Sequence, residues 1–530
     1  MRPVRSILLG SVCAAMLSAA SHAAEVKLFA EDDSINIVGD LVSYTDTTYV
    51  LKTALGDMVV NRDRVKCQGE TCPPEEAEQL FDIVIHGSDT VGEELMPLLV
   101  EGYAAKRRAA VARREDIGDN RVALAVADDF GSGDPVIDVQ IQSKGSSTGF
   151  KSLIAREADI AMSSRPVRPS EVDAIAGAGR GDLNDVRQEY IVAVDSIMTV
   201  VSPENPVGEL TVGQLADLFA GRISNWSEVG GPDLPVTVYS RNTDSGTFGV
   251  FEDQVLKPAG RTLSADAVIL GSNDAIADAV VQDAGGIGYV GFAYVRDAKT
   301  VDLIASCGIR MSSSVFAAKT EEYPLERRLR LYVDNSDMTE HVRGLLDYAI
   351  SADAEPLVQK AGFIDLGVIE DESGLDSARL MDAAETANDT YALKLLRTMM
   401  IDLGGAKRLS TTFRFAPGSS QLDNKAERDL GRMIAYLSRP ENADREVLLV
   451  GFTDSDGAFS ANAALSEGRA QAALDALLAH PEADRLAGLR MRATGYGELS
   501  PVGCNDDFKG RQRNRRVEVW LRVPGQIASR

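Results

Sequence analysis

The sequence predicts a secreted, multidomain α/β protein with a small all-β unit at its front. Three observations lead there. The first 23 residues, MRPVRSILLGSVCAAMLSAASHA, join Arg2 and Arg5 to a short apolar run and end in small residues at Ser21 and Ala23, the pattern of a cleaved export leader. Short β-branched segments with turn residues follow. Beyond them, strands alternate with amphipathic helices through most of the chain. At 530 residues with 44% hydrophobic content, the chain can pack roughly three to four domains.

The leader's apolar run is too short to cross a bilayer, and no other long apolar stretch follows it. Cys13 lies deep in that run behind Val12, which disfavours lipidation. Removing the leader takes away two arginines and no acids, so the formal net charge of −25 becomes −27. Such an acidic chain is unsuited to nucleic acid or to an anionic membrane, both of which need clustered Lys and Arg. Small anions are still possible ligands, because backbone amides and hydroxyls hold them locally.

Residues 24–75 read as a compact β-meander, an SH3-like form being one option, from SINIVGDLVSYT, TYVLKTALG and DMVVNRDRVKC. A core of that size is marginal, and a local disulfide between Cys67 and Cys72 in CQGETC would support it in an oxidising compartment. The pair alone offers too few ligands for zinc. Cys307 and Cys504 either bridge two domains or remain free thiols; both options stay open. PPEEAEQ reads as a linker.

Residues 81–370 alternate strand and helix. FDIVIHG is an apolar strand, ELMPLLVEGY has helical spacing through Leu95, Leu98 and Leu99, and DPVIDVQIQSKG alternates Ile137, Val139 and Ile141. This rhythm predicts parallel strands, and the length suffices for two lobes. Residues 371–407 are helix-prone and read as a connector. Residues 408–525 follow a βαβαβ order: one helix buries Leu430, Met433, Ile434 and Leu437, a second presents Ala470, Leu474, Leu477 and Leu478, and VEVWLRV alternates Val517, Val519, Leu521 and Val523. The order predicts an α/β sandwich.

Three stretches of 81–370 place glycines and hydroxyls ahead of a helix: GSDTVGEEL (87–95), KGSSTGFKSL (144–153) and SRNTDSGTFGVFE (240–252). Helix starts expose unpaired N–H groups, and small residues let an anion approach. Any one Ser or Thr would serve equally well as an N-cap. Three such turns, one beside Arg241 with its forked donor, favour an anion cradle. In their order and spacing, these stretches, with GSSTGFKSLIAREADIAMSSR, PENPVGELTVGQLADLFAGRISNWSEVGG, GGIGYV and YPLERRLRLYV, resemble the PstS-type phosphate-binding protein, a periplasmic fold with two α/β lobes around a cleft. The resemblance implies that Thr90, Ser146, Ser147, Ser164, Arg241, Ser245, Gly246 and Thr247 surround phosphate or a related oxyanion. It also allows an ABC transporter as partner. Where better-known members carry a carboxylate, this chain has Ser164 followed by Arg165, which loosens the expected selectivity unless another acid such as Asp89 takes that role.

A second resemblance covers the last domain. TD-x-x-G (453–457), N-x-x-L-S-x-x-R-A (462–470), GYGE (495–498) and GRQRNRRVEVW (510–520) together resemble the OmpA-like peptidoglycan-binding domain. The resemblance implies that Asp454 and Arg469 clamp the zwitterionic end of a diaminopimelate stem, with Asn462 ordering the loop and Arg515 and Arg516 bracing the site or sheet. An ammonium matches the carboxylate and a carboxylate matches the guanidinium.

Catalysis is not expected, and neither a cofactor nor a metal is implied. His86, His341 and His480 have no metal or triad spacing. GSSTG lacks the flanking pattern of a hydrolase elbow, and DSGT lacks a partner base. Two readings follow: a periplasmic phosphate-binding protein tethered non-covalently to the cell wall, placed in the periplasm with the outer membrane as one site, or a structural envelope linker whose binding module no longer holds phosphate.

Overall fold

The computed structural model describes residues 25–30, 34–45, 48–69, 71–72, 81–243, 245–336, 338–371, 374–375, 377–415 and 421–524. The expected leader and the PPEEAEQ linker lie outside them. The chain divides into two units, 1–80 and 81–530.

In the first unit, four strands form an antiparallel meander, and a fifth, Lys66–Gln68, returns to the free side of the first, Glu25–Phe29. Val26, Leu28, Tyr49, Leu51, Val60 and Val65 make its small core. The expected disulfide is present between Cys67 and Cys72.

The second unit opens with a mixed sheet of 11 strands that serves two cores. Ile83–Gly87 lies parallel to both Pro135–Ser143 and Ile160–Ser163, and buries Ile83 and Ile85 in the first lobe. Thr237–Arg241 runs parallel to Gly286–Gly291 in the second lobe. Parallel pairing was expected; it holds for these pairs, for the edge strand Val268–Leu270 beside Thr237–Arg241 and for Glu209–Thr211 with Asp302–Ile304, but not elsewhere among the described strands of this region. The hairpin Ala110–Asp116/Arg121–Ala127 is antiparallel, and so is the join between the lobes. That join is a pair of long strands, Glu189–Val201 and Glu326–Val333. Tyr190 and Val192 enter the first core, whereas Ile197, Met198 and Val200 enter the second, so these strands form the hinge.

The C-terminal sheet orders Glu370–Asp371, Lys407–Arg414, Arg516–Arg522, Glu446–Phe452 and Arg490–Gly495. Helices Asn424–Leu437 and Phe459–Ala479 cover one face, with Leu430, Met433, Ile434, Leu437, Ala470, Leu474 and Leu477 buried as expected. Leu478 is instead half exposed, and Val523 falls beyond the strand end. The expected connector folds as helices Ser377–Thr386 and Thr390–Leu403, which pack Ala383, Leu396, Met399 and Leu403 against Leu448, Val450 and Trp520 on the other face. A third layer therefore joins the expected two. Glu518, which strand alternation points away from the first core, is fully buried beneath this layer and ion-paired with Arg379, Arg408 and Arg516.

This C-terminal body rests on both lobes. Asn424 donates to the Asn184 carbonyl at 2.8 Å, Arg428 stacks 4.0 Å from the Tyr190 ring centre, and Arg432 reaches the Ile350 carbonyl, all in the first lobe. Arg408 pairs with Glu322 and Arg414 with Glu321 beside the hinge. Cys307 of the second lobe is joined to Cys504 by a disulfide, which settles that open pairing.

Candidate functional site

Strand ends deliver the cleft residues. Ile83–Gly87 leads through Ser88 to Asp89 and Thr90 at a short helical turn. Pro135–Ser143 passes Gly145, whose φ of 94° a side chain would resist, into helix Ser146–Ala155. Ile160–Ser163 stops just before Ser164. From the other lobe, Thr237–Arg241 leads to Ser245, whose hydroxyl accepts from Phe248 N as an N-cap. Ligands of open α/β sheets bind beyond the carboxyl ends of such strands.

The residue that ties these ends together is Arg327, on the hinge. Its Nη1 donates to Ser164 Oγ at 3.2 Å, its Nη2 to Thr90 Oγ1 at 3.0 Å, and its Nε to Asp195 Oδ2 at 3.0 Å on the paired strand. Ser164 N donates to Ser146 Oγ at 3.2 Å. A Cβ on Gly246 would lie 2.6 Å from Thr90 Oγ1, so the lobes meet where only glycine fits. Asp89, Thr90, Ser146, Ser164, Gly246 and Arg327 line one end of a cavity of about 660 Å³.

The other expected cleft residues are placed differently. Ser147 Oγ accepts from Arg165, which is itself held by Glu171 at 2.8 Å. Ser147, Arg241, Ser245 and Thr247 are not among the residues lining this cavity. Arg241 Nε is buried without a hydrogen-bond partner among the described residues. Its charge acts on Glu93, whose carboxyl burial, Asp89 and Glu94 all push up while Arg241 opposes them. Sequence reasoning missed Arg327, although it lies within the family-like stretch YPLERRLRLYV. The strand Glu326–Val333 also carries Glu326, Arg328 and Arg330, so no local pattern singles out Arg327; only the register opposite Asp195 does.

The C-terminal clamp forms at the end of Glu446–Phe452. Paired Gly451 and Gly495 leave a notch that the backbone of Ser466 fills, and this seats helix Phe459–Ala479 with its Arg469 close to the sheet. Asp454 and Arg469 do come together, but Asp454 Oδ2 is taken by Arg515 Nη1 at 2.6 Å. Arg515 thus braces the site, and Arg516, buried on its strand against Glu518, braces the sheet, both within the expectation. Asn462 donates to the Asp454 carbonyl at 3.2 Å and to Glu498 at 2.8 Å, which orders the loop. Arg469 stands 5.6 Å from the Phe415 ring centre, with Nε and Nη1 buried and unpartnered among the described residues. Burial lowers its pKa, Arg515 lowers it further, and Asp454 opposes them. Among the described residues, the guanidinium groups of Arg469 and Arg515 both act with the single Asp454 carboxylate.

Comparison with known proteins covers both domains. Residues 119–364 match the PBP superfamily domain model and residues 414–515 the OmpA family model. Protein SphX of Synechococcus elongatus is 30% identical over 257 residues, which is 46% of this chain and 74% of that one. The chain belongs to the PBP superfamily. Its PBP domain is followed by an OmpA-family domain. The phosphate-binding protein PstS of Bacillus subtilis is 28% identical over 260 residues, covering 48% of this chain and 81% of its own. An ABC-type phosphate transport receptor of Vibrio cholerae aligns at 23% identity and a TM-score of 0.40, covering 53% of this chain and 99% of that one.

Proposed function

We propose that this PBP-superfamily chain is a periplasmic solute-binding protein that captures phosphate or a related oxyanion and is held non-covalently to peptidoglycan by its OmpA domain. The observation that carries the reading is the cradle of Arg327, Thr90, Ser146 and Ser164 at the meeting of two hinged lobes. Hydroxyls and a forked cation can all turn donors toward one tetrahedral anion. Asp89 supplies a carboxylate on the same cavity, able to accept a proton from the ligand and to repel fully ionised anions. Support for the cleft also comes from relatives named as phosphate-binding proteins. In the OmpA domain, Arg469 is the group awaiting a ligand carboxylate, and Asp454 would exchange Arg515 for a ligand ammonium. Delivery to an ABC transporter is consistent with the same relatives, and no catalytic step is assigned.

Calorimetry of the full mature chain with phosphate, sulfate and pyrophosphate tests the cleft; absence of phosphate binding would favour the structural-linker reading. Co-sedimentation with purified sacculi tests the clamp. Asp454→Ala and Arg469→Ala should each lose nearly all wall binding, and the double variant should be scarcely worse than either. Wild-type co-sedimentation by both folded single variants would sink the clamp assignment.

A further inference from the structure

We propose that the chamber between the PBP cleft and the OmpA domain accepts a small phosphorylated organic acid, with its phosphoryl group in the cradle and its carboxylate at Arg513 and Lys509. The inference rests on the cradle being a phosphoryl site. The cavity of about 660 Å³ falls among pockets that enclose whole organic ligands, and a bare phosphate ion leaves most of it unfilled. It is continuous from Thr90, Ser164 and Arg327 at one end to Phe415, Phe508, Lys509 and Arg513 of the OmpA domain at the other.

Charge decides where a second anionic group would go. The cations nearer the cradle are already matched: Arg165 by Glu171, Arg327 by Asp195, and Arg330 by Glu189. Arg328 meets Glu321 and Asp423, and Arg414 meets Glu321. Arg513 and Lys509 make no ion pair or side-chain hydrogen bond among the described residues, although Glu326, Asp507 and Glu321 act on Arg513 through space, so the cations open to direct contact lie at the OmpA end. Burial disfavours the charged form of Arg513 while Glu326 favours it, so an approaching carboxylate would stabilise the guanidinium further. Phe508, 65% exposed, and Phe415 offer apolar faces for the organic body. Glu326, with Oε2 buried and unpartnered among the described residues, lines the chamber and can accept a hydrogen bond from a ligand hydroxyl.

The test is calorimetry of the full chain with 6-phosphogluconate, glucose 6-phosphate and inorganic phosphate. We expect 6-phosphogluconate to bind about tenfold or more tighter than either of the others, because only it carries the second charged contact. Arg513→Ala and the exposed Lys509→Ala should each lower its affinity about tenfold and leave that of phosphate unchanged. Should Arg513→Ala not fold, Lys509→Ala still decides. Phosphate binding with no preference for 6-phosphogluconate would overturn this inference alone. Equal binding of glucose 6-phosphate would remove the carboxylate contact, and binding of none of the three would overturn both this inference and the cradle reading.

Discussion

The PBP cleft and the OmpA clamp both place arginines beside a carboxylate, yet they balance charge in opposite ways. In the cleft, Arg327 faces Asp195 across the hinge strands and turns its remaining donors to Thr90 and Ser164. Its charge is compensated before any ligand arrives. In the clamp, Arg515 holds Asp454, and Arg469 keeps two buried nitrogens without partners among the described residues. An unpaired buried cation is costly, and a ligand carboxylate would offset that cost. On the proposed reading the cleft would therefore rely on shape, hydrogen bonding and the Asp89 carboxylate, and the clamp on charge that the protein leaves open.

The comparison presumes that both sites belong to one mechanical body, and the largest expected effect tests this. Cys307–Cys504 closes a loop across 197 residues and ties the second lobe to the OmpA domain. The double variant Cys307→Ser/Cys504→Ser should lose about 3–5 kcal/mol of stability, read as a lower unfolding midpoint under oxidising conditions. An unchanged midpoint would mean that the non-covalent contacts of Arg408, Arg414 and Arg428 suffice by themselves.

Next come the two arginines. Arg327→Ala leaves Asp195 buried without its partner and should cost about 3 kcal/mol of stability together with phosphate affinity. Arg469→Ala removes an uncompensated charge, so it should cost about 2–3 kcal/mol of wall binding at unchanged or higher stability. Thermal melts and sacculus co-sedimentation of both variants separate these outcomes. Equal destabilisation by the two substitutions would break the contrast.

The sequence carried the alternation of strand and helix well, because periodicity reports burial directly: Ile137, Val139, Ile141, Met433 and Ile434 are all buried. It was less informative wherever a third element decides the environment. Glu518 lies on the face that alternation assigns to solvent, and only the packing of Ser377–Thr386 and Thr390–Leu403 buries it. The pairing of Cys307 with Cys504 depends on domain docking, which no local pattern encodes. In the cleft, turn glycines and hydroxyls were legible because a helix start needs them. Arg327 was not, since a charged residue on a strand reads as edge or surface until the partner strand brings Asp195 opposite it. The clamp's motif identified Asp454, Asn462 and Arg469, while the pairing of Asp454 with Arg515 required the fold.

A smaller effect sharpens the shape argument for the cleft. Gly246→Ala places a methyl group 2.6 Å from Thr90 Oγ1, at the contact between lobes. Overpacking there should hold the lobes apart and weaken phosphate binding by about 1–2 kcal/mol. Wall binding should not change, because the clamp lies in the other domain. Undiminished phosphate affinity on calorimetry would show that the lobes need not approach this closely to hold the ion.

An effect of similar size concerns Glu326, which adjoins Arg327 and faces the OmpA domain. Burial, with Glu321 nearby, pushes its carboxyl up to about 7, against the opposing charges of Arg328, Arg513 and Arg414. A carboxyl whose pKa is higher in the folded than in the unfolded chain binds more protons when folded. Stability contributed at this position is therefore present at acid pH and lost as pH rises from the ordinary glutamate range through about 7. Glu326→Gln mimics the protonated form. It should match the wild type near pH 4 and exceed it by about 1–2 kcal/mol at pH 8, the gap opening between those values. The depressed carboxyl of Glu321 contributes with the opposite sign: burial opposes its ionisation, but Arg328, Lys425 and Arg414 outweigh it, so its contribution fades only in strong acid. Denaturant unfolding of both proteins across pH 4–8 reads the difference directly. A gap that is constant with pH would mean that Glu326 titrates alike in the folded and unfolded chains, and that the hinge next to the cleft carries no buried proton.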